Sequence, residues 1–372
     1  MITKFAVKNF RGFQDWTIFN LTTDKKYEFN EGAISDNVVK HSMIYGENGE
    51  GKTNLGMAML EIISHLSQRK VKYPTFNVSY LNADSDSELA EFQYEMILNG
   101  ILVSYEYGKN DSAEIIYETL HIAGNKVLSW DKRINNKAYV ALSGTSSLNL
   151  ELSENVTSLI SYVLHNSSLK EDPVNSTFIA FSEFINGMVF FKTMSSVNEF
   201  AGAFPSKYKS LSEQIIKDYG VEELEKFLHN SGITCKLDTY DSVDGNKIAL
   251  VSKNRKLDFF SVASSGTFAL VILFVWIKKM EDNEISFAYI DEFDAFYHHK
   301  LAKKISKTLT STSAQTILST HNTSIMSNNI LRPDCYFEIK NQKITPLYKL
   351  SDREIRKAHN LEKMYRSGAF DE

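Results

Sequence analysis

Cysteine is scarce in this chain: only Cys235 and Cys335 occur in 372 residues, and neither falls at metal-ligand spacing. That excludes a disulfide framework and a zinc ribbon, and it suits a reducing cytosol. Long apolar runs are missing too. The longest, Phe268 to Ile277, is about half of a membrane span and reads as a buried helix. The opening Met-Ile-Thr-Lys-Phe-Ala-Val lacks the apolar core of a secretory signal. There is no excess of basic charge: 41 Lys+Arg stand against 46 Asp+Glu, a formal net charge of −5. Nucleic-acid binding through overall basicity is thereby excluded, although a local basic stripe is not. Internal repeats, low-complexity tracts and long heptad runs are also absent. What remains is an ordinary soluble composition, 43% hydrophobic and 23% charged, long enough for a large core with two or three lobes.

Two short strings stand out from this background. GENGEGKT, Gly46 to Thr53, fits G-x-x-x-x-G-K-[ST]. Glycines in that pattern let backbone N–H groups close around phosphates while the lysine reaches the outer ones. The context agrees. Ser42-Met43-Ile44-Tyr45 reads as a short buried strand, and Asn54 to Leu66 carries apolar residues at helical spacing. The candidate nucleotide-binding residues are therefore Gly46, Asn48, Gly49, Gly51, Lys52, Thr53 and Asn54. Lys52 is expected on the β- and γ-phosphates and the Thr53 hydroxyl on Mg²⁺. The plain alternative is a glycine-rich turn with an exposed lysine.

The second string, Phe287-Ala288-Tyr289-Ile290-Asp291-Glu292, is an apolar strand ending in two acids. Open α/β sheets hold their ligands at that edge. Asp291 is the expected Mg²⁺ partner, and Glu292 is positioned to orient or deprotonate the attacking water. Two solvated acids at a strand end are the alternative. ILSTHN, Ile317 to Asn322, is another apolar strand ending in polar residues, which makes His321 a candidate partner of the γ-phosphate or the attacking water. Ala263-Ser264-Ser265-Gly266-Thr267 precedes the apolar helix 267–280. Small hydroxyl residues and glycine at a helix start form a second phosphate cradle. One phosphate tail does not need two cradles, so this one makes sense facing a nucleotide held by another subunit. Otherwise Ser264 or Ser265 is simply a helix cap.

Around these motifs the pattern changes along the chain. Thr3 to Asn9 and Trp16 to Leu21 read as strands about a turn at Arg11-Gly12. Period-two segments between Glu91 and Trp130, separated by hairpin-type turns, predict an antiparallel β subdomain. From about Glu154 to Ser231 the sequence reads as helical, including TFIAFSEFINGMVFF (177–191). Strands are expected at 233–239 and 247–252, and the last third alternates helix 267–280, strand 286–290, helix 296–309 and strand 315–319. A strand pair at 335–339 and 344–348 and a terminal helix close the chain. The expected domains are 1–150, an N-terminal lobe with the phosphate loop and β subdomain; 151–232, a helical insert; and 233–372, a C-terminal lobe.

Together, the phosphate loop, SSGT cradle, IDE strand and STH strand resemble the ABC/SMC-like ATPases, in the order that superfamily uses. More closely, the chain resembles the bacterial AAA-annotated ATP/GTP phosphatase group, which opens with NFRGF-type segments (Asn9 to Phe13) and carries SSGT, IDEFD and STHN. That group tends to end in a tail like Leu361 to Gly368. The resemblance implies an α/β fold, an ABC/SMC-like P-loop ATPase head with an antiparallel β subdomain and a helical insert. It implies a dimer sandwiching two ATP molecules with Mg²⁺. Lys52, Thr53, Asp291 and Glu292 would act in one subunit, and Ser264 and Gly266 of the other would cap the γ-phosphate. Asp294 would lie in the dimer-contact loop, and Arg11 would touch a phosphate. Ala263 replaces the usual leucine, and Thr267 replaces the glutamine of transporters. Gln68 and Gln93 are the candidates for a lid-loop glutamine.

Many members of the group belong to anti-phage or abortive-infection systems beside a nuclease or toxin, so the resemblance implies a cytoplasmic ATP-driven switch acting on a partner effector. The stretch after His321 is expected to be too short for a nuclease domain. An alternative is an SMC-like ATPase that clamps DNA, supported by Lys300, Lys303, Lys304 and Lys307 on one helix. A transporter motor and a small-molecule kinase fit the motifs less well.

Overall fold

The computed structural model of the chain describes residues 1–67, 80–153, 155–192, 199–202, 208, 210–243 and 245–370. Gln68 and Glu154, where the helical reading was expected to begin, lie outside the described residues. The frame is a seven-stranded sheet in the order 199–202, 188–192, 287–291, 315–319, 41–45, 336–340, 343–346. Its five inner strands are mutually parallel and each edge strand is antiparallel. The inner strands are short apolar runs, and His41–Tyr45, Phe287–Asp291 and Gln315–Ser319 are buried at every position. That is the pattern of strands covered on both faces. The phosphate-loop segment, the acid pair and the Thr320–Asn322 turn all leave the sheet at its carboxyl edge, where such sheets hold ligands.

The second sheet has seven antiparallel strands in the order 139–140, 125–131, 115–122, 101–109, 90–98, 2–8, 17–20. Burial alternates along Ala90–Leu98, so one face packs on the core and the other meets solvent. Asn99-Gly100 and Ala123-Gly124 both have positive φ at both turn positions, the tight hairpin geometry that matches strand twist. The two sheets are stitched by the buried Gln315 amide. It accepts from the Ile2 N–H (2.8 Å) and donates to the carbonyls of Ile2 (2.9 Å) and Val39 (3.0 Å).

The expected helices at 267–280 and 211–230 are present, as Ser265–Glu281 and as a series from Leu211 to Asn230 with a short π turn. Three expectations need correction. The helix expected through 177–191 ends at Asn186, and Met188–Lys192 is instead an inner strand of the main sheet. Four consecutive apolar residues fit a buried strand and a buried helix equally well, and only the partner strand decides. The helix expected from Asn54 to Leu66 breaks after Leu60 and resumes at Ile63. At that break the buried Glu61 carboxylate accepts from Lys109 (2.6 Å), Tyr107 (2.7 Å) and Ser64 (2.9 Å), tying the loop helix to the antiparallel sheet. The helix expected from Phe296 starts only at His299. Among the described residues, no helix is long and apolar enough to cross a membrane.

Candidate nucleotide site

The phosphate loop is shaped by contacts only glycine permits. A side chain at Gly46 would meet the Ile339 carbonyl of the neighbouring strand at 2.6 Å, and Gly49 and Gly51 have φ of +90° and +100°. Gly51 also lies against the Phe13 ring, so the Asn9–Phe13 segment packs directly on the loop. Glu50 is clasped from the other side by the Asn341 N–H (2.7 Å). The helix Lys52–Leu60 then starts with no side-chain cap, leaving its first-turn N–H groups facing the loop. Such a terminus is electropositive and favours anions. Glu47, Asn48 and Gly49 form the exposed rim.

Lys52 is buried, and its ammonium donates to the carbonyls of Gly46 (2.7 Å) and Glu47 (2.9 Å). Burial lowers its pKa, while Asp291, Glu292 and Glu50 pull the other way. The ammonium is therefore held by carbonyl acceptors and feels the charge of three carboxylates. The His321 Nδ1 stands 3.3 Å from the Lys52 ammonium and 3.1 Å from the Gly46 carbonyl. One tautomer accepts from the lysine and the other donates to the carbonyl, so only one of these bonds holds at a time.

Asp291 is fully buried at the end of its strand. Its Oδ2 accepts from the Thr53 hydroxyl at 2.7 Å and its Oδ1 from the Ser319 hydroxyl at 2.5 Å. Lys192, its registered neighbour on the adjacent parallel strand, brings its ammonium within 3.8 Å of Oδ2. Glu292 turns out of the strand at φ +48°, a conformation that costs a non-glycine residue about 1 kcal/mol. Its N–H donates to Ser319 Oγ (2.9 Å), while its Oε2 is buried with no hydrogen-bond partner. Asp294 accepts from the Thr320 hydroxyl (2.7 Å), which fastens the loop after the acid pair to the His321 turn within one chain. The Tyr289 hydroxyl donates to the Lys52 carbonyl (2.6 Å), locking the acid strand to the first turn of the loop helix.

The fold thus brings together Gly46, Gly49, Gly51, Lys52, Thr53, Asp291, Glu292 and His321. Asn54 points elsewhere, its amide against Gly12 beside Arg11. Arg11 has positive φ and its carbonyl accepts from the Asn82 amide (2.5 Å); burial lowers its pKa. Ser264 caps the helix Ser265–Glu281 by accepting from the Thr267 N–H (3.2 Å), as plain capping predicts. Ser264 and Ser265 are exposed, and Gly266 faces open space apart from Phe296 at 3.8 Å. Among the described residues, no hydrogen bond joins Ser264, Ser265 or Gly266 to the phosphate loop or the acid pair. Gln93 is an exposed position within the strand Ala90–Leu98 and not on a loop. Of the four lysines after the acid pair, Lys300, Lys304 and Lys307 are exposed, and Lys304 donates to the Asn230 carbonyl. Sequence reading missed Ser319, Tyr289 and Lys192. Ser319 lay in view inside the ILSTHN string, but Lys192 required knowing which strands are neighbours.

Whether Mg²⁺ and a nucleotide fit is tested by the donor chemistry. One hydroxyl and one carboxylate meet at 2.7 Å, a set suited to an octahedral ion held mainly by phosphate and water. Among the described residues, no cluster of three or more His, Cys, Asp or Glu forms an all-protein metal site. The uncapped helix start and the unpartnered Glu292 oxygen suit the phosphates and a water.

Residues 169–327 match the family model described as "AAA domain, putative AbiEii toxin, Type IV TA system". The match spans just under half of the chain and contains the SSGT, acid-pair and STHN motifs, with the phosphate loop upstream of it. No curated protein matches the sequence. Among solved structures, the SMC head domain from Thermotoga maritima aligns with a TM-score of 0.45 at 16% identity, covering 93% of this chain and 98% of that one. An SMC head bound to the C-terminal winged-helix domain of ScpA aligns at 0.49 and 13% identity, over 92% and 96% of the two chains. An SMC head with an extended coiled coil, bound to the C-terminal domain of ScpA derived from Pyrococcus furiosus, aligns at 0.49 and 12%, over 94% and 97%.

Proposed function

We propose that the protein is a Mg²⁺-dependent ATPase whose nucleotide cycle switches an assembly of its own copies and, through it, a partner effector. The observation that carries this reading is the 2.7 Å contact of Thr53 with Asp291, next to a glycine-shaped loop and a Glu292 whose buried Oε2 has no hydrogen-bond partner. When bound, Mg²⁺ would neutralise charge on the outer phosphates of ATP, which supplies the anhydride to be split. Thr53 and Asp291 are the residues suited to hold the metal, and the N–H groups of Gly49 to Thr53 and the Lys52 ammonium to hold phosphate. Lys52 must first leave the Gly46 and Glu47 carbonyls, so the loop's own acceptors hold its ammonium in place until phosphate competes. Glu292 is the group suited to take a proton from water, with Ser319 fixing its backbone. His321 is suited to sense the outer phosphate through its contact with Lys52 and Gly46.

The exposed serines of the SSGT cap, separate from the loop it would complement, support a second copy supplying Ser264 and Gly266. The description of the family matched at 169–327 supports an effector of toxin type, in a defence system. The test is Glu292→Gln. This variant should bind ATP, lose about 10²-fold or more of its phosphate release, and accumulate as a larger species with ATP on size exclusion. Turnover at the wild-type rate would overturn the role of Glu292. An assembly state indifferent to ATP in both proteins would overturn the switch.

A further inference from the structure

Lys192 is the charged group at this sheet edge that no motif announces. It closes an inner strand, and the parallel register sets it beside Asp291, with its ammonium 3.8 Å from Oδ2. That same oxygen accepts from Thr53. A fully buried carboxylate is costly without a nearby cation, and here a lysine side chain about a quarter exposed supplies one. A divalent ion held by Thr53 and Asp291 must enter next to this ammonium, against like-charge repulsion at close range. Phosphate oxygens arriving at the same edge would give the ammonium a new partner and lift that repulsion.

From this geometry we infer that Lys192 is a resident counter-ion of Asp291 that opposes binding of free divalent metal and yields only to metal arriving with phosphates. The site would then stay metal-poor between nucleotides, and metal and nucleotide would bind with strong mutual dependence. Lys192 acts here through Asp291 and touches no other acid of the pair among the described contacts. The inference rests on the ATPase reading of the site and adds the order in which its occupants enter.

The test uses the full chain and two probes. Mn²⁺ alone is titrated by electron paramagnetic resonance, and a fluorescent ATP analogue is titrated in EDTA. Lys192→Met should bind Mn²⁺ at least about tenfold more tightly than wild type. The same variant should bind the metal-free nucleotide about tenfold more weakly. Lys192→Arg, which keeps the charge, should stay close to wild type in both. A merely packing role would not move the two affinities in opposite directions. Unchanged or weaker Mn²⁺ binding by Lys192→Met would overturn the inference. If Lys192→Met fails to fold, Lys192→Gln takes its place in the same pair of titrations: tighter Mn²⁺ with weaker nucleotide supports the inference, and unchanged or weaker Mn²⁺ overturns it. Failure of wild type to bind Mg·ATP would instead reject the ATPase reading itself, so the two failures are distinguishable.

Discussion

Thr53 and Asp291 touch at 2.7 Å although 238 positions separate them in the chain. The contact exists because the strand before the phosphate loop and the strand before the acid pair both run parallel to Gln315–Ser319 and end at one edge. Tyr289 reinforces it from beneath, by donating to the Lys52 carbonyl.

Removing the Thr53 hydroxyl tests the metal assignment. Thr53→Ala should raise the Mg²⁺ concentration needed for half-maximal ATP hydrolysis by about tenfold or more, since the proposed assignment would lose one of its two protein ligands. Its melting temperature should fall only slightly. A Mg²⁺ titration of phosphate release gives the answer, and an unchanged midpoint would remove Thr53 from the metal.

Gly56 tests the close approach of helix and sheet. A methyl group there would meet the Tyr289 ring at 2.5 Å and the Phe190 ring at 2.7 Å. Gly56→Ala should therefore destabilise by about 1–3 kcal/mol despite the better helix propensity of alanine. Urea unfolding that shows a gain in stability would contradict the packing described.

The Lys109–Glu61 pair offers a test of buried charge. Both side chains are almost fully buried at 2.6 Å. Lys109→Met alone leaves the Glu61 carboxylate facing Tyr107 and Ser64 without its cation, and should cost about 3–5 kcal/mol. Adding Glu61→Gln should recover much of that loss, measured by a double-mutant cycle in denaturant.

His41 sets an acid limit on stability. Burial, with Lys40 adding a smaller push, lowers its pKa to about 3 from an ordinary 6.5, and its Nδ1 pairs with the Thr316 hydroxyl at 2.8 Å. Between those values the unfolded chain takes up a proton that the folded chain refuses. Stability from this residue is thus full above the unfolded pKa and falls as pH drops through the window, by up to about 1.4 kcal/mol per pH unit. His41→Gln should flatten that limb in urea melts between pH 6.5 and pH 4. An identical slope in both proteins would refute the assignment.

The glycine loop between strand and helix, the strand ending in two acids and the antiparallel hairpins were legible in the sequence, because their signals are local. A glycine pattern, an apolar run ending in acids, or an Asn-Gly turn between alternating segments depends on neighbours a few residues away. Met188–Lys192 was not legible, because a short apolar run takes its conformation from the strand beside it. With that strand went Lys192, whose meaning lies wholly in its register with Asp291.

By itself, then, the sequence determined which side chains are candidates to meet phosphate, metal or a proton, since that candidacy rests on side-chain chemistry and local spacing. Tertiary structure alone decided which of them meet. Parallel pairing placed Thr53, Asp291, Ser319 and Lys192 at one edge. The capped helix start left Ser264 exposed and Gly266 half-buried beside Phe296. Contacts between residues hundreds of positions apart follow from strand order and register, and no local pattern encodes these.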